Sequence, residues 1–350
     1  MVNSAKFVLL FAALSGLVAC QPKFSDRFSE VTAGRVLAVQ SSPAEAAPSD
    51  KVSYRLLVVD ATGTIQAPTA RWSYCTQAKP VNELNDVSAL CFGDTDVVQP
   101  FGMGGEPTGK VPVNACRQFG PDLPQTKPGA PQGRPTDPDS TGGYYQPVIL
   151  HVDVDSEDVP TLGETRITCG LAGSTSEQFQ DYKLRTKTNE NPVLSQVTIV
   201  NQGDAPLTED TAESPLVVSA GQRLSLRASW PACPTTAACG DGICSPLETI
   251  KDCPDDCTKP VGCGGSEPYA YLDPVLRTLV DRHETMRVSW FASGGSFGSD
   301  HTGRSEADFA ETTSDNDWDA PSQTGPVFLW VVLRDDRGGV AWKNYRLDVQ

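Results

Sequence analysis

The chain has 350 residues, enough for two domains of ordinary size, and its 44 acidic against 28 basic side chains give a net charge of −16. That balance argues against nucleic acid and anionic lipid surfaces as partners, and suits an extracytoplasmic body or one that binds cations. Gly (30) and Pro (28) are plentiful and long helical periods are scarce. After the first twenty residues the longest apolar run, Val327–Leu333, has the length of a strand and not of a membrane span.

At the amino terminus Lys6 gives a short positive segment, Phe7–Leu14 an apolar run, and Ser15-Gly16 a break before Leu17-Val18-Ala19-Cys20. This is the layout of a secretion signal, too short for a stable span. The ending resembles the lipobox of bacterial lipoproteins, an ordinary signal peptide with a chance cysteine being the alternative. The resemblance implies removal of residues 1–19, a diacylglycerol on the Cys20 thiol and acylation of the new amino terminus. Two or three chains anchor stably where one does not, so the membrane becomes a partner through lipid. Gln21 stands where an Asp tends to retain such lipoproteins in the inner membrane, which implies the outer membrane of a bacterial cell envelope. Loss of Lys6 with the leader takes the mature charge to −17. Export leaves ten further cysteines, Cys75, Cys91, Cys116, Cys169, Cys233, Cys239, Cys244, Cys253, Cys257 and Cys263. An even number in an oxidising compartment reads as five disulfides whose connectivity the sequence leaves open.

Residues 20–34 are polar and read as a lipidated tether, and residues 35–188 as a first β-domain. Val36–Val39 is strand-like, and Lys51–Val59 puts Val52, Tyr54, Leu56 and Val58 on one face. Ala70–Cys75 carries a Trp, and strands follow at Tyr144–Val154 and Thr165–Leu171. Thr175 or Ser176 caps a short helix reaching Tyr182. Residues 92–143 form a Pro/Gly-rich insertion, including Phe101–Gly105 and Lys127–Pro135, whose composition predicts an exposed loop stapled at Cys91 and Cys116.

Asn189-Glu-Asn-Pro192 marks the boundary to a second β-domain, residues 189–350. Its strands begin at Val193–Val200 and Gln222–Trp230, the latter facing Leu224, Leu226, Ala228 and Trp230 one way. Lys51–Leu56 matches Arg223–Ala228, and Trp72-Ser-Tyr74 has a loose counterpart in Ser289-Trp-Phe291, a weak internal repeat that two copies of one sandwich would explain. Val327–Leu333, a turn at Arg334–Gly339, and Val340–Val349 resemble the last hairpin of bacterial immunoglobulin-like and PKD-like domains. The resemblance implies an all-β chain of two immunoglobulin-like β-sandwiches, with the hairpin's apolar face, Trp330 included, filling the core of the second.

The second sandwich carries a disulfide-rich insert, residues 233–263. Within it, Cys239-Gly-Asp-Gly-Ile-Cys-Ser-Pro-Leu-Glu-Thr-Ile-Lys-Asp-Cys-Pro-Asp-Asp-Cys257 resembles the cysteine-rich repeats of bacterial surface proteins and secreted proteases, C-G-x-G-x-C-x-x-x-E-x-x-x-x-C-P-x-D-C, and more distantly the calcium-binding Notch-type repeat. Its only sizeable apolar side chains are Ile243, Leu247 and Ile250, so covalent links replace a core. A Cys233–Cys263 bridge would staple the base, with the four inner cysteines closed among themselves. Asp241, Glu248, Asp252, Asp255 and Asp256 are dense enough to hold Ca²⁺ or to form a solvated acidic surface; four thiolates holding zinc are the reducing alternative. The insert is expected to project from a sandwich edge, where recognition loops commonly sit.

Catalytic groups are sparse. Gly294-Gly-Ser-Phe-Gly298 satisfies G-x-S-x-G, but turn residues and not a helix follow, and His301 lies only five residues beyond Ser296. His283-Glu284 begins like a zincin motif, with Arg287 where the second His belongs, and His151 is remote. Asp153/Asp155 and Asp335/Asp336 read as turn formers, with Ca²⁺ ligation the alternative. Tyr144, Tyr145, Tyr269 and Tyr271 suit sugar stacking if exposed and strand packing otherwise. The expectation is a non-enzymatic envelope protein that binds a protein or glycan or serves structurally; the alternative is an exported hydrolase or its accessory subunit, resting on Ser296.

Overall fold

Period-two alternation becomes strand throughout the computed structural model, which describes residues 28–79, 87–93, 95–121, 139–171, 173–210, 215–242, 244, 248–257 and 262–350. The chain is all-β. In its first half β1 (Arg35–Ser42), β2 (Glu45–Ala46), β3 (Lys51–Asp60), β4 (Gly63–Thr64), β5 (Ala70–Cys75), β6 (Val98–Met103), β7 (Thr108–Lys110), β8 (Tyr145–Val154) and β9 (Glu157–Ile167) form two sheets. One runs β1-β3-β4 with β7 also on β3, the other β2-β9-β8-β5-β6. In the second half β10 (Gln196–Ile199), β11 (Ala205–Pro206), β12 (Leu216–Val218), β13 (Arg223–Ser229), β14 (Pro268–Leu272), β15 (Leu279–His283), β16 (Met286–Ala292), β17 (Ser296–Phe297), β18 (His301–Arg304), β19 (Thr313–Asp319), β20 (Gly325–Asp335) and β21 (Val340–Val349) follow. They give sheets β11-β10-β13-β19-β17 and β12-β21-β20-β16-β18, and a separate β14–β15 hairpin.

The strand order recurs between halves. β1-β3-β7 is matched by β10-β13-β19, and β2-β9-β8-β5-β6 by β12-β21-β20-β16-β18. Even the edge agrees, since β2 on β9 and β12 on β21 are both parallel pairs. The sequence repeat falls on equivalent strands, β3 with β13 and β5 with β16, and Trp72 and Trp290 are each fully buried in the core of their own half.

A third apolar cluster lies between the halves. Leu37, Ala38, Leu57 and Val59 from β1 and β3 meet Phe291, Trp330, Val332 and Val340 from β16, β20 and β21. β20 is therefore buried on both faces, with Leu329, Val331 and Leu333 turned into the second core and Trp330 and Val332 turned into the junction. This corrects the placement of Trp330 in the second core. The indole Nε1 instead donates to Thr64 Oγ1 of the first half at 2.8 Å.

Other expectations also change. Within the expected tether, residues 29–31 are packed on the body: Val31 is fully buried, and Ser29 and Val31 bond to the backbone of Ala292. Part of the 92–143 insertion is regular: it supplies β6, β7 and helix α1 (Ala115–Phe119). Pro100 is tolerated in β6 because that strand is a sheet edge. Phe101 stacks on Tyr74 at 4.2 Å, and a Cβ on Gly109 would lie 2.4 Å from the Tyr74 hydroxyl, so glycine allows that close approach. Lys127–Pro135 lies outside the described residues, as does Cys20. Helix α2 (Ser176–Arg185) starts with Thr175 in a reciprocal capping box with Gln178. No described helix is long and apolar enough to cross a membrane.

Candidate functional site

Five disulfides form, Cys75–Cys91, Cys116–Cys169, Cys233–Cys263, Cys239–Cys253 and Cys244–Cys257, and they mark an oxidising, extracytoplasmic protein. Cys91 and Cys116 thus each tie to a different strand end and do not close a loop on themselves. In the insert, Gly240 (φ +95°) and Gly242 (φ +83°) take left-handed turns that present their N–H groups to Asp256, whose two carboxylate oxygens accept them. Glu248 likewise accepts from Ala238 N at 2.6 Å. Glu248 and Asp256 are buried and come together, while Asp241, Asp252 and Asp255 are exposed and join no metal-ligand group among the described residues. The sulfurs beside the buried pair belong to disulfides and offer no thiolate. The two buried carboxylates are bonded to backbone N–H groups. Their geometry serves the knot's own turns. Asp256→Asn leaves one oxygen for two N–H donors, and is expected to cost about 1–3 kcal/mol of local stability, read as faster amide exchange at Gly240 or Gly242 with the global melt little moved.

The knot also does not stand clear of the body. Lys187 Nζ donates to the Glu248 carbonyl at 2.9 Å, drawing the insert against the segment that links the halves. That segment is a clasp. Asn189 N donates to Glu45 and Asn189 Nδ2 to Asp335, while Asn191 donates to Ser41 O and accepts from Val340 N.

Beside it lies a buried charge cluster that sequence reading missed. The β20–β21 turn carries Arg337, 1% exposed, between Glu45 at 3.4 Å and Glu284 at 3.3 Å, with Glu267 at 4.0 Å and the Tyr269 ring beneath. Nη2 also donates to Lys187 O at 2.8 Å. Asp335, read as a turn former, does accept from Arg337 N and Gly339 N, but it is buried as well. Burial would raise the Glu45 carboxyl, yet Arg166 and Arg337 hold it below its ordinary range. Burial and neighbouring carboxylates outweigh Arg337 at Glu267, which is pushed up to about 7, and at Glu284, which is raised, while burial alone raises Asp335.

Next to Glu45 a cavity of about 260 Å³ opens under α2, between that helix and the chain around the start of β8 and the end of β9. Arg166 forms part of its wall, 5% exposed, with Nε 3.3 Å from Glu45 and Nη1 donating to Thr141 at 2.7 Å and Tyr145 at 3.2 Å. A Cβ on Gly143 would lie 2.0 Å from that Nη1, so glycine makes room for the guanidinium. Tyr144 and Tyr269 are buried and Tyr145 and Tyr271 partly so, with Tyr144 also lining the cavity.

The catalytic candidates are held apart. Ser296 pairs in β17 with Asp319, and Gly295 (φ +80°) is required because a Cβ there would lie 2.4 Å from Asp319 O. His301 Nδ1 bonds Ser289 Oγ at 3.1 Å, and among the described residues no hydrogen bond joins it to Ser296. His283 stacks on Phe309 at 3.8 Å, and His151 pairs with Asp158 at 2.9 Å. Among the described residues these histidines share no metal-ligand cluster.

No family model and no curated protein matches the chain. Solved structures similar to it include red sea bream transglutaminase (8% identity, TM-score 0.22, 92% of this chain and 32% of that one) and latent PorU from Porphyromonas gingivalis (11%, 0.17, 91% and 34%). The Yersinia pseudotuberculosis adhesin InvE is similar at 12% identity and TM-score 0.18, over 90% of this chain and 58% of that one. The chain thus spans about a third of the first two, and scores this low transfer no function.

Proposed function

We propose that the chain is a lipid-anchored protein of the bacterial cell envelope, a non-enzymatic binding protein made of two joined immunoglobulin-like sandwiches. The junction carries this reading. An apolar interface, a hydrogen-bonded clasp and a buried charge cluster hold the halves in one orientation, as a scaffold for recognition requires and a string of loose modules does not. The recurrent strand order and the pairing of Trp72 with Trp290 support duplicated sandwich modules. The lipobox-like Leu17-Val18-Ala19-Cys20 supports the anchor.

Expression of the wild type with an alkynyl palmitate is expected to label the protein and leave it in the membrane pellet. Cys20→Ala should lose the label and appear as a soluble or uncleaved form, and its retention in the pellet would defeat the anchor. Crosslinking in intact cells should recover an envelope partner only from the anchored form. A fluorophosphonate probe is expected to leave Ser296 unlabelled; labelling abolished by Ser296→Ala would favour a hydrolase.

A further inference from the structure

We infer that the rim of the junction, where β1 meets β16 and β20, is a binding site for a phosphate dianion, free or borne as a monoester. The inference deepens the binding reading above by naming a ligand class, and it does not depend on the anchor. In the register of β16 with β20, Arg287 stands directly opposite Arg334. Like charges so placed destabilise a sheet, and a guanidinium does not shed its proton in a protein, so the repulsion persists. Elsewhere in this acidic chain arginines are matched, as Arg223 is by Asp319, Arg282 by Glu306 and Arg304 by Glu311. Among the described residues Arg287, Arg334 and Arg35 of β1 form no ion pair. Burial and the Arg287 charge push the Arg334 guanidinium down to about 10, with no carboxylate to hold it up. Asp300 acts on His301 but forms no ion pair with any of the three. Here, then, the molecule has cations without anions.

The fold gathers these groups at one place. Arg334 Nη2 donates to Leu37 O of β1 at 2.7 Å, and Nη1 reaches Ser289 Oγ at 3.4 Å. His301, opposite Ser289 on β18, bonds the same Oγ through Nδ1. Arg287, Ser289 and Phe291 alternate along β16 and so share one face. Arg35 lies over the Phe291 ring at 5.3 Å, and the half-exposed Phe28 packs against Phe291 at 5.5 Å and His301 at 5.2 Å. Arg287 is exposed and, among the described residues, its side chain makes no hydrogen bond, so its donor fork is free. Charge and shape narrow the class. A carboxylate would neutralise only one of the two facing guanidiniums. A phosphate monoester carries about −1.5 to −2 at pH 7, and its tetrahedral oxygens can be shared between two forks. The exposed Phe28 ring beside them gives a monoester with a ring an apolar wall, which free phosphate does not use.

The test titrates the full-length chain, in mild detergent and about 0.15 M NaCl to screen diffuse charge, with inorganic phosphate, phenyl phosphate and acetate. Binding is read by calorimetry, by the thermal melt and by the ring resonances of the 3 histidines. At least one of the two phosphates is expected to bind saturably, to raise the melt, and to shift His301 while leaving His151, paired with Asp158 in the first half, in place. Acetate should bind at least about tenfold more weakly. Arg287→Gln, on an exposed side chain, should weaken phosphate binding by about tenfold or more. The same variant without ligand should melt no lower than wild type, because it loses a repulsion. Tighter binding of phenyl phosphate than of phosphate would identify a monoester whose ring lies on Phe28, and binding no tighter would identify the free anion. Failure of both phosphates to saturate by about 10 mM, acetate bound as tightly as phosphate, wild-type binding by Arg287→Gln, or binding that leaves His301 unmoved would each overturn the site. Any of these leaves the anchor and crosslinking results untouched, so the two readings fail separately.

Discussion

Arg337→Met is expected to lower the unfolding free energy by about 3–5 kcal/mol at pH 7, measured as a shift of the urea midpoint. The side chain is only 1% exposed and serves Glu45 and Glu284 with its two terminal nitrogens. Four buried carboxyls, Glu45, Glu267, Glu284 and Asp335, face two guanidiniums, Arg166 and Arg337. Neutrality then requires about two bound protons, in keeping with the raised Glu267, Glu284 and Asp335 and the lowered Glu45. Removing one guanidinium leaves charge that burial cannot accommodate. The sign of the pH dependence follows. Glu267 holds its proton in the folded chain up to about pH 7, whereas the unfolded chain has released it above about pH 4.5. Its contribution therefore costs nothing below that point, grows as pH rises, and is complete above about 7. Glu45 acts oppositely, its stabilisation being lost as pH falls below its unfolded value. Glu267→Gln cannot ionise, so relative to wild type it should gain about 3 kcal/mol at pH 8 and nothing at pH 4. Parallel stability profiles for the two proteins between those pH values would contradict this account of the cluster.

Sequence pattern reached the strands whose alternation is apolar. Lys51–Val59 and Gln222–Trp230 appear as β3 and β13 with the expected faces inward, and the Thr175 cap opens α2 where expected. β19 was illegible because its alternation is written in polar residues. Ser314, Asn316 and Trp318 point inward, while Asp315, Asp317 and Asp319 face out to Arg227, Ser225 and Arg223 across the pair with β13. An apolar template misses such a strand, although period-two acids opposite period-two arginines are a legible cross-strand signal. β6 was hidden by Pro100 and Gly102, which an edge strand tolerates and a central one does not. The knot's two structural acids were among the five candidates, yet nothing in the spacing separated Glu248 and Asp256 from the exposed three; only the turn geometry of Gly240 and Gly242 does so. The charge cluster could not be found by motif. Its members, Glu45, Arg166, Glu267, Glu284, Asp335 and Arg337, come from strands and turns far apart in the chain. Single charged residues on otherwise ordinary turns carry no sign that they will be buried.

Trp330→Ala is expected to cost about 3–5 kcal/mol and to do so by opening the junction. The run Val327–Leu333 held the signal, because a strand with one solvated face alternates and this one does not. A continuous apolar strand needs cover on both faces, and a single sandwich covers only one. The second face of β20 meets the first half through Trp330 and Val332, with the indole N–H on Thr64. Truncation at Trp330 leaves Leu329, Val331 and Leu333 in the second core, so each half should keep its own packing. Small-angle scattering should then show a larger radius of gyration with strand content unchanged, and limited proteolysis should cut between residues 186 and 192. Trp290→Ala is the contrasting variant. Trp290 sits in the second core, so its loss should melt that half while the first keeps its near-ultraviolet signal. Scattering as compact for Trp330→Ala as for wild type, or loss of the second half's packing alone, would return Trp330 to the second core and remove the apolar interface from the case for a rigid scaffold.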